Sequence, residues 1–460
     1  MADVHFIGIG GTGISAIARV LLERGMTVSG SDRELSPQAI ELQKAGAVVY
    51  EGHLAQQVED AKTVVRSSAV PDDNVEVVAA REAGIPVLKR SEYLPGFLED
   101  TFTIAVAGSH GKTTTTSMLA WMLTALNQQP GFIVGGDVEN LGVNAAAGNG
   151  HLFVIEADEY DYMFHGLAPR IAIVTNVEHD HPDMFPTEAS FVEAFQGFVD
   201  GIETGGTLLV AADDDGAKDL LRYADGKGIH KLTYGLGPED DYQARDLRSH
   251  PGSGYSFYVY KGESQLAYVT LEIPGRHNVL NALAALAVAD LRDLNVPEAA
   301  FALATFRGAG RRFQIAGEVH GITFIDDYGH HPTEIQTTLS AARDRYPEQR
   351  IWAVWQPHTY SRTQTLLAEF TEAFDVADRL VVTDIYAARE RQPQGFDFQA
   401  VLSSIRHKQI HHTPTLQDAV DLLTHQVDTG DVVIVFSAGD AVAINPQALD
   451  VLRAKETAHA

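Results

Sequence analysis

Residues 102–114 read Phe102-Thr103-Ile104-Ala105-Val106-Ala107-Gly108-Ser109-His110-Gly111-Lys112-Thr113-Thr114. An apolar run enters a glycine turn, and a helix is expected to open at Lys112. Backbone N–H groups of such a turn point at phosphate oxygens, and the helix N-terminus adds partial positive charge. Lys112 is suited to the outer phosphates and the Thr113 hydroxyl to Mg2+. The general phosphate-loop pattern is Gly-x-x-x-x-Gly-Lys-[Ser/Thr], whereas only Ser109 and His110 separate Gly108 from Gly111. A plain strand-to-helix turn would also place small residues here, but not a lysine and a threonine run in this order. The motif begins at residue 102, so another unit precedes it.

That unit opens with a second glycine turn. After the apolar run 4–7 come Gly8-Ile9-Gly10-Gly11-Thr12-Gly13, a helical pattern over 14–22 and a strand pattern over 27–32. This is a βαβ start whose turn suits a nucleotide diphosphate. Gly8, Gly10, Gly11, Thr12 and Gly13 would hold it, with Ser31, Asp32 and Ser68 beside them; Asp32 is spaced to take a ribose hydroxyl. Taken alone the turn fits NAD as well as a nucleotide sugar. A hydride enzyme would not need the loop at 108–114, which favours the nucleotide sugar.

Polar clusters follow other apolar runs. Glu156-Ala157-Asp158-Glu159 ends the run 152–155, where a Mg2+ ligand beside a phosphate loop is needed, and Glu156 is the candidate. Thr175-Asn176-Val177-Glu178-His179-Asp180-His181 ends the run 171–174; His181 reads equally as a metal ligand or a hydrogen-bonding residue. Asp326-Asp327-Tyr328-Gly329-His330-His331-Pro332-Thr333-Glu334 and Gln356-Pro357-His358-Thr359-Tyr360-Ser361-Arg362-Thr363 again follow strand patterns, and Arg362 is suited to a carboxylate. Helices are expected over 278–291, 332–345, 365–377 and 416–425. Alternating strands and helices throughout imply an α/β fold with mostly parallel sheets.

Composition narrows the partners. The chain has 460 residues, a net charge of -28 and no cysteine. Disulfides and thiolate chemistry are excluded, and a reducing cytoplasm is expected. So acidic a chain repels a phosphate backbone, so no nucleic acid is expected. No apolar stretch is long enough to span a membrane, and the first residues lack a secretory pattern.

The motifs, taken in order, resemble the Mur ligases of peptidoglycan synthesis, and most closely their alanine-adding branch. Besides the stretches quoted, Gly275-Arg276-His277-Asn278-Val279-Leu280-Asn281 and Gly310-Arg311-Arg312-Phe313 carry the likeness, which runs to Ala438-Gly439-Asp440. The resemblance implies three domains: 1–99 Rossmann-like and UDP-binding, 100–311 a central P-loop ATPase, and 312–460 Rossmann-like, closing over ATP and binding the amino acid. It implies ATP-dependent amide formation through an acyl phosphate, with UDP-N-acetylmuramate and L-alanine as substrates, Mg2+ (or Mn2+) as cofactor, and a monomer or homodimer. Gly108, Ser109, His110, Gly111, Lys112, Thr113, Thr114, Asn278, Asn281 and Arg312 would bind ATP, and Thr113, Glu156 and His181 the metal. Tyr328, His330, His331 and Arg362 would handle the amino acid. Lys112, Glu156, His181, His331 and Arg362 would form the catalytic set.

Two departures bear on the acceptor. Many Mur ligases carry a carbamylated lysine, and residues 186–200 contain none, as the alanine-adding branch implies. Tyr160-Asp161 after Glu159 resembles instead the recycling ligase that attaches a whole tripeptide. Tyr328-Gly329 and His358-Thr359-Tyr360-Ser361-Arg362-Thr363 favour free alanine.

Overall fold

Five parallel strands open the chain in the spatial order Val48–Glu51, Val28–Asp32, Ala2–Ile7, Ala61–Arg66, Val87–Lys89. This is the doubly wound dinucleotide-binding order without its sixth strand, with the glycine turn leaving the central strand at its C-terminal end. The computed structural model describes residues 2–459. The helix after the turn, Thr12–Glu23, buries Ile14, Ile17, Val20 and Leu21 on one face, the 3.6-residue period expected of its sequence.

A ten-stranded sheet follows. Its parallel centre places Phe102–Ala107 between Ile171–Val174 and Leu152–Glu156. All three strands are almost wholly apolar because the sheet is covered on both faces. Their C-terminal ends carry the glycine loop and the two acidic clusters side by side. Tyr255–Lys261 and Ser264–Thr270 pair antiparallel at one edge, alternating buried and exposed residues.

The last sheet has six strands, ordered Gln314–Val319, Ile322–Asp327, Val432–Phe436, Ile351–Trp355, Arg379–Thr383, Ile410–Thr413; only the first is antiparallel. Here the expectation of one helix over 365–377 is corrected. Helix Tyr360–Thr365 ends at Leu366 (φ -103°, ψ 23°), and Leu367–Phe370 is a separate turn. Glu390 accepts the Tyr360 and Ser361 amides, and Thr359 with φ 64° sets the direction of the first piece. Leu366, Phe370 and Phe374 still enter the core, which is what the apolar spacing had registered.

The first and central sheets share one apolar core. Val4, Phe6 and Ile17 from the first unit belong to the same buried cluster as Ala105, Phe153, Phe164 and Phe195. Phe97 meets Phe153 edge-on at 5.6 Å, with the Arg24 guanidinium over Phe97 at 4.5 Å. The third sheet keeps its own cores. It meets the central unit largely through charged and hydroxyl groups, and those groups form the site.

Candidate active site

The phosphate loop is built by two left-handed glycines. Gly108 has φ 140° and Gly111 φ 82°, and a Cβ on Gly108 would collide with Thr175 Oγ1. Gly111 caps helix Lys112–Ala125 with no side-chain hydrogen bond, so the first amides stay free for an anion. Lys112 Nζ donates to the Gly108 carbonyl and to Ser109 O at 3.1 Å, and lies 2.9 Å from Glu159 Oε2. Burial alone would lower its pKa, but Glu159, Glu156 and Asp158 outweigh this and hold the ammonium charged.

Thr113 Oγ1 donates to Glu156 Oε1 at 2.9 Å, and Gly135 N donates to Glu156 Oε2 at 2.6 Å. Burial pushes the Glu156 carboxyl above its usual range despite Lys112. A buried carboxylate beside a hydroxyl forms a hard-oxygen pair suited to Mg2+. His181 sits apart from that pair, its Nε2 3.6 Å from Glu159 Oε1. Thus Lys112 and Glu159 stand between the two groups of expected metal ligands.

His110 links the loop to the third unit. Its Nε2 is 2.9 Å from Glu178 Oε2 and its Nδ1 3.4 Å from Glu334 Oε1. Burial would discharge the ring, but the two carboxylates raise its pKa to about 9. Thr333 Oγ1 also donates to Glu178, at 2.7 Å, and Arg312 Nη1 donates to Glu334 at 3.1 Å. Despite burial, Arg312 and His110 hold Glu334 well below the carboxylate range.

Between loop and third unit lies a cleft lined among others by Thr114, Asn278, Asn281 and Arg312. Asn281 Oδ1 accepts from Thr115 Oγ1 and its amide donates to Asn278 Oδ1, a buried chain that fixes both side chains. Of the ten residues expected at ATP, seven line this cleft: His110, Gly111, Thr113, Thr114, Asn278, Asn281 and Arg312.

The residues expected to handle the amino acid gather near Asp180. Arg362 is buried and places Nε at 2.9 Å and Nη2 at 2.8 Å from Asp180 Oδ1. Burial would raise Asp180, yet Arg362 and the nearby histidines hold it well below its ordinary value. Arg362 also reaches His358 Nδ1 at 3.0 Å and His181 Nδ1 at 3.5 Å. His330 lies 3.9 Å from Asp180; burial and Arg362 lower its pKa to about 3, and burial and Arg362 lower His358 to about 4. His331 is buried, caps helix Pro332–Arg345 through Nδ1 and stacks obliquely on His110 at 4.7 Å. Tyr328 stands at the edge of this group, edge-on to His330 at 5.5 Å.

At the first glycine turn, Asp32 Oδ2 accepts the Gly10 amide at 2.8 Å and Oδ1 the Arg33 amide at 2.8 Å, so its carboxylate braces the loop. Ser31 Oγ donates to the buried Glu76 at 2.5 Å. Gly8 is flanked by Ser67, whose Cβ would lie 2.9 Å from an added Cβ, while Ser68 occupies the following turn.

Sequence reading did not single out Asp180, Glu178, Glu334, His358 or Arg90. The first four lay inside quoted clusters, but the meeting of the central and third units is what pairs Asp180 with Arg362, Glu334 with His110 and Glu178 with Thr333. Arg90 belongs to no motif; it donates to Asp158 Oδ2 at 3.1 Å across the first and central units.

Family models match in chain order: "Mur ligase family, catalytic domain" over residues 3–101, "Mur ligase middle domain" over 106–289 and "Mur ligase, glutamate ligase domain" over 311–439. The UDP-N-acetylmuramate–L-alanine ligase of Thermobifida fusca is 41% identical over 460 residues, covering 98% of this chain and 97% of that protein. The ligase of the same name from Renibacterium salmoninarum is 42% identical over 461 residues, with 100% and 98% covered. Among solved structures, the UDP-N-acetylmuramate–alanine ligase of Thermotoga maritima superposes with a TM-score of 0.83 at 28% identity, covering 99% and 100%. A murein peptide ligase from Psychrobacter arcticus gives 0.73 at 28% identity, covering 98% and 99%.

Proposed function

The chain belongs to the Mur ligase family, and from that premise we propose that it joins L-alanine to the carboxylate of UDP-N-acetylmuramate, converting ATP to ADP and phosphate. One observation carries the reading. Lys112 contacts Glu159 at 2.9 Å, Glu159 contacts His181 at 3.6 Å, and His181 contacts Arg362 at 3.5 Å. One chain of contacts thus links the cation suited to phosphate with the cation suited to the acceptor, as a reaction that phosphorylates and then aminates one carboxylate would use.

Each unit has one task in this scheme. Residues 1–99 hold the nucleotide sugar, 100–311 hold ATP, and 312–460 bring the amino acid and close the ATP cleft through Arg312 and Glu334. A carboxylate is a poor electrophile; transfer of the γ-phosphoryl group to it creates a leaving group. Lys112 and the free amides of the loop stabilise charge on the transferring phosphoryl. The amine then attacks the acyl phosphate, the tetrahedral intermediate collapses, and phosphate departs. Arg362 orients the incoming carboxylate, sharing its fork with Asp180. His330 and His358, kept neutral by burial and Arg362, are too weakly basic to deprotonate an ammonium and are suited to hydrogen bonding the amino acid instead.

Thr113 and Glu156 would hold one Mg2+, and His181, on the far side of Lys112, would serve a second ion. Mg2+ bound there would neutralise phosphate oxygens and orient the terminal phosphoryl group. A ligase that consumes ATP and a nucleotide sugar works in the cytoplasm; among the described residues no helix is long and apolar enough to cross a membrane.

Alanine is favoured over a tripeptide because the acceptor residues are enclosed: the Arg362 side chain is 4% exposed and that of His330 13%. Competition among L-alanine, glycine, L-serine and the murein tripeptide tests this. L-Alanine is expected to give the highest kcat/KM; preference for the tripeptide would assign the recycling reaction instead.

A further inference from the structure

Arg90 opens helix Arg90–Leu98 in the first unit and stands where that unit meets the ATP site. A Cβ on Gly13 would collide with Arg90 Nη1, so the guanidinium lies flush against the first turn of helix Thr12–Glu23. That helix is capped by Gly11 with no side-chain hydrogen bond and has no acidic residue in its first turn. The Gly10 amide is already taken by Asp32 and the Gly11 amide by the Gly8 carbonyl, which leaves the helix-opening amides as the loop's anion donors.

The other arm of the fork points the opposite way. Arg90 Nη2 donates to Asp158 Oδ2 at 3.1 Å, longer than the roughly 2.7–2.9 Å usual for a charge-assisted bond. Asp158 is fixed by accepting the Tyr160 amide at 3.0 Å, and its charge is stabilised by Arg90, Lys112 and His181 against the cost of burial. Arg90 therefore spans from the glycine turn to the acidic cluster beside the phosphate loop. Among the described residues Asp158 is its one hydrogen-bond partner. The two units are also strapped by Lys89–Asp161 at 2.9 Å and by their common core, so cohesion does not rest on Arg90.

We propose that Arg90 is a substrate-binding residue that grips the diphosphate of the nucleotide sugar from the side opposite the helix amides. One arm stays on Asp158 while the other takes a phosphate oxygen, directing the sugar carboxylate toward Lys112. A planar two-armed cation suits this task in a way a lysine does not. The inference rests on the nucleotide-sugar reading of the first unit.

Calorimetric titration without ATP tests it, using UDP and uridine as probes on the full chain. Wild type binds UDP more tightly than uridine. Arg90→Gln loses about 10- to 100-fold in UDP affinity, the size of a lost charged hydrogen bond to phosphate, and leaves uridine binding unchanged. Arg90→Lys recovers part of the loss. Asp158→Asn, which removes the strap and keeps the guanidinium, preserves the preference for UDP. Equal loss in the Arg90→Gln and Asp158→Asn proteins would make Arg90 a strap alone and overturn the proposal, as would an Arg90→Gln protein whose preference for UDP over uridine is undiminished. A wild type indifferent to the diphosphate would instead remove the nucleotide-sugar site itself.

Discussion

His110 shows how one side chain joins chemistry to closure. It belongs to the phosphate loop, yet its charge is held by Glu178 of the central unit and Glu334 of the third. Its folded pKa of about 9 lies above the ordinary 6.5. A raised value means that the bridge stabilises fully below pH 6.5 and is lost as pH rises through about 9. Thermal midpoints measured from pH 6 to 10 should therefore fall more steeply for wild type than for His110→Gln. Parallel curves would show that the bridge contributes nothing. The sequence places His110 in the phosphate loop, but nothing local reveals two carboxylates arriving from 68 and 224 residues further along the chain (178 - 110 and 334 - 110). Lys112, Thr113 and Glu156 were legible because their roles depend on neighbouring strand ends. Asp180 was not, because its pairing with Arg362 spans 182 residues.

At the scale of elements, apolar periodicity identifies the strands that end in the site, since a strand buried on both faces needs a continuous apolar run. It misjudged 365–377, where buried residues at helical spacing occupy a broken chain. It also could not show that the first two sheets share a core. Gly166 marks that junction: it ends the turn Tyr160–Gly166, and a Cβ there would collide with the Ser91 backbone. Gly166→Ala is expected to cost about 1–3 kcal/mol by overpacking. Hydrogen exchange should show protection falling together in Ala2–Ile7 and Phe102–Ala107 while Val432–Phe436 keeps its own. Loss confined to the first unit would contradict a common core.

Across the whole molecule, two kinds of contact divide the labour. Apolar packing fuses the first unit to the central one, whereas ion pairs and hydroxyls join the third unit to them across the cleft. Polar interfaces of this kind reorganise more readily than hydrophobic ones. In the proposed scheme, against a net charge of -28, the cations at the junctions, Arg90, Lys112, Arg312 and Arg362, would be the places that draw in anionic substrates. The central claim is that phosphoryl transfer and amide formation form one coupled reaction across the three units. Phosphate release measured with ATP and Mg2+, adding UDP-N-acetylmuramate and L-alanine singly and together, tests it most directly. Sustained release is predicted only with both present, and with Lys112→Ala it should be lost. Sustained release from ATP alone, or indifferent to the nucleotide sugar, would contradict the account.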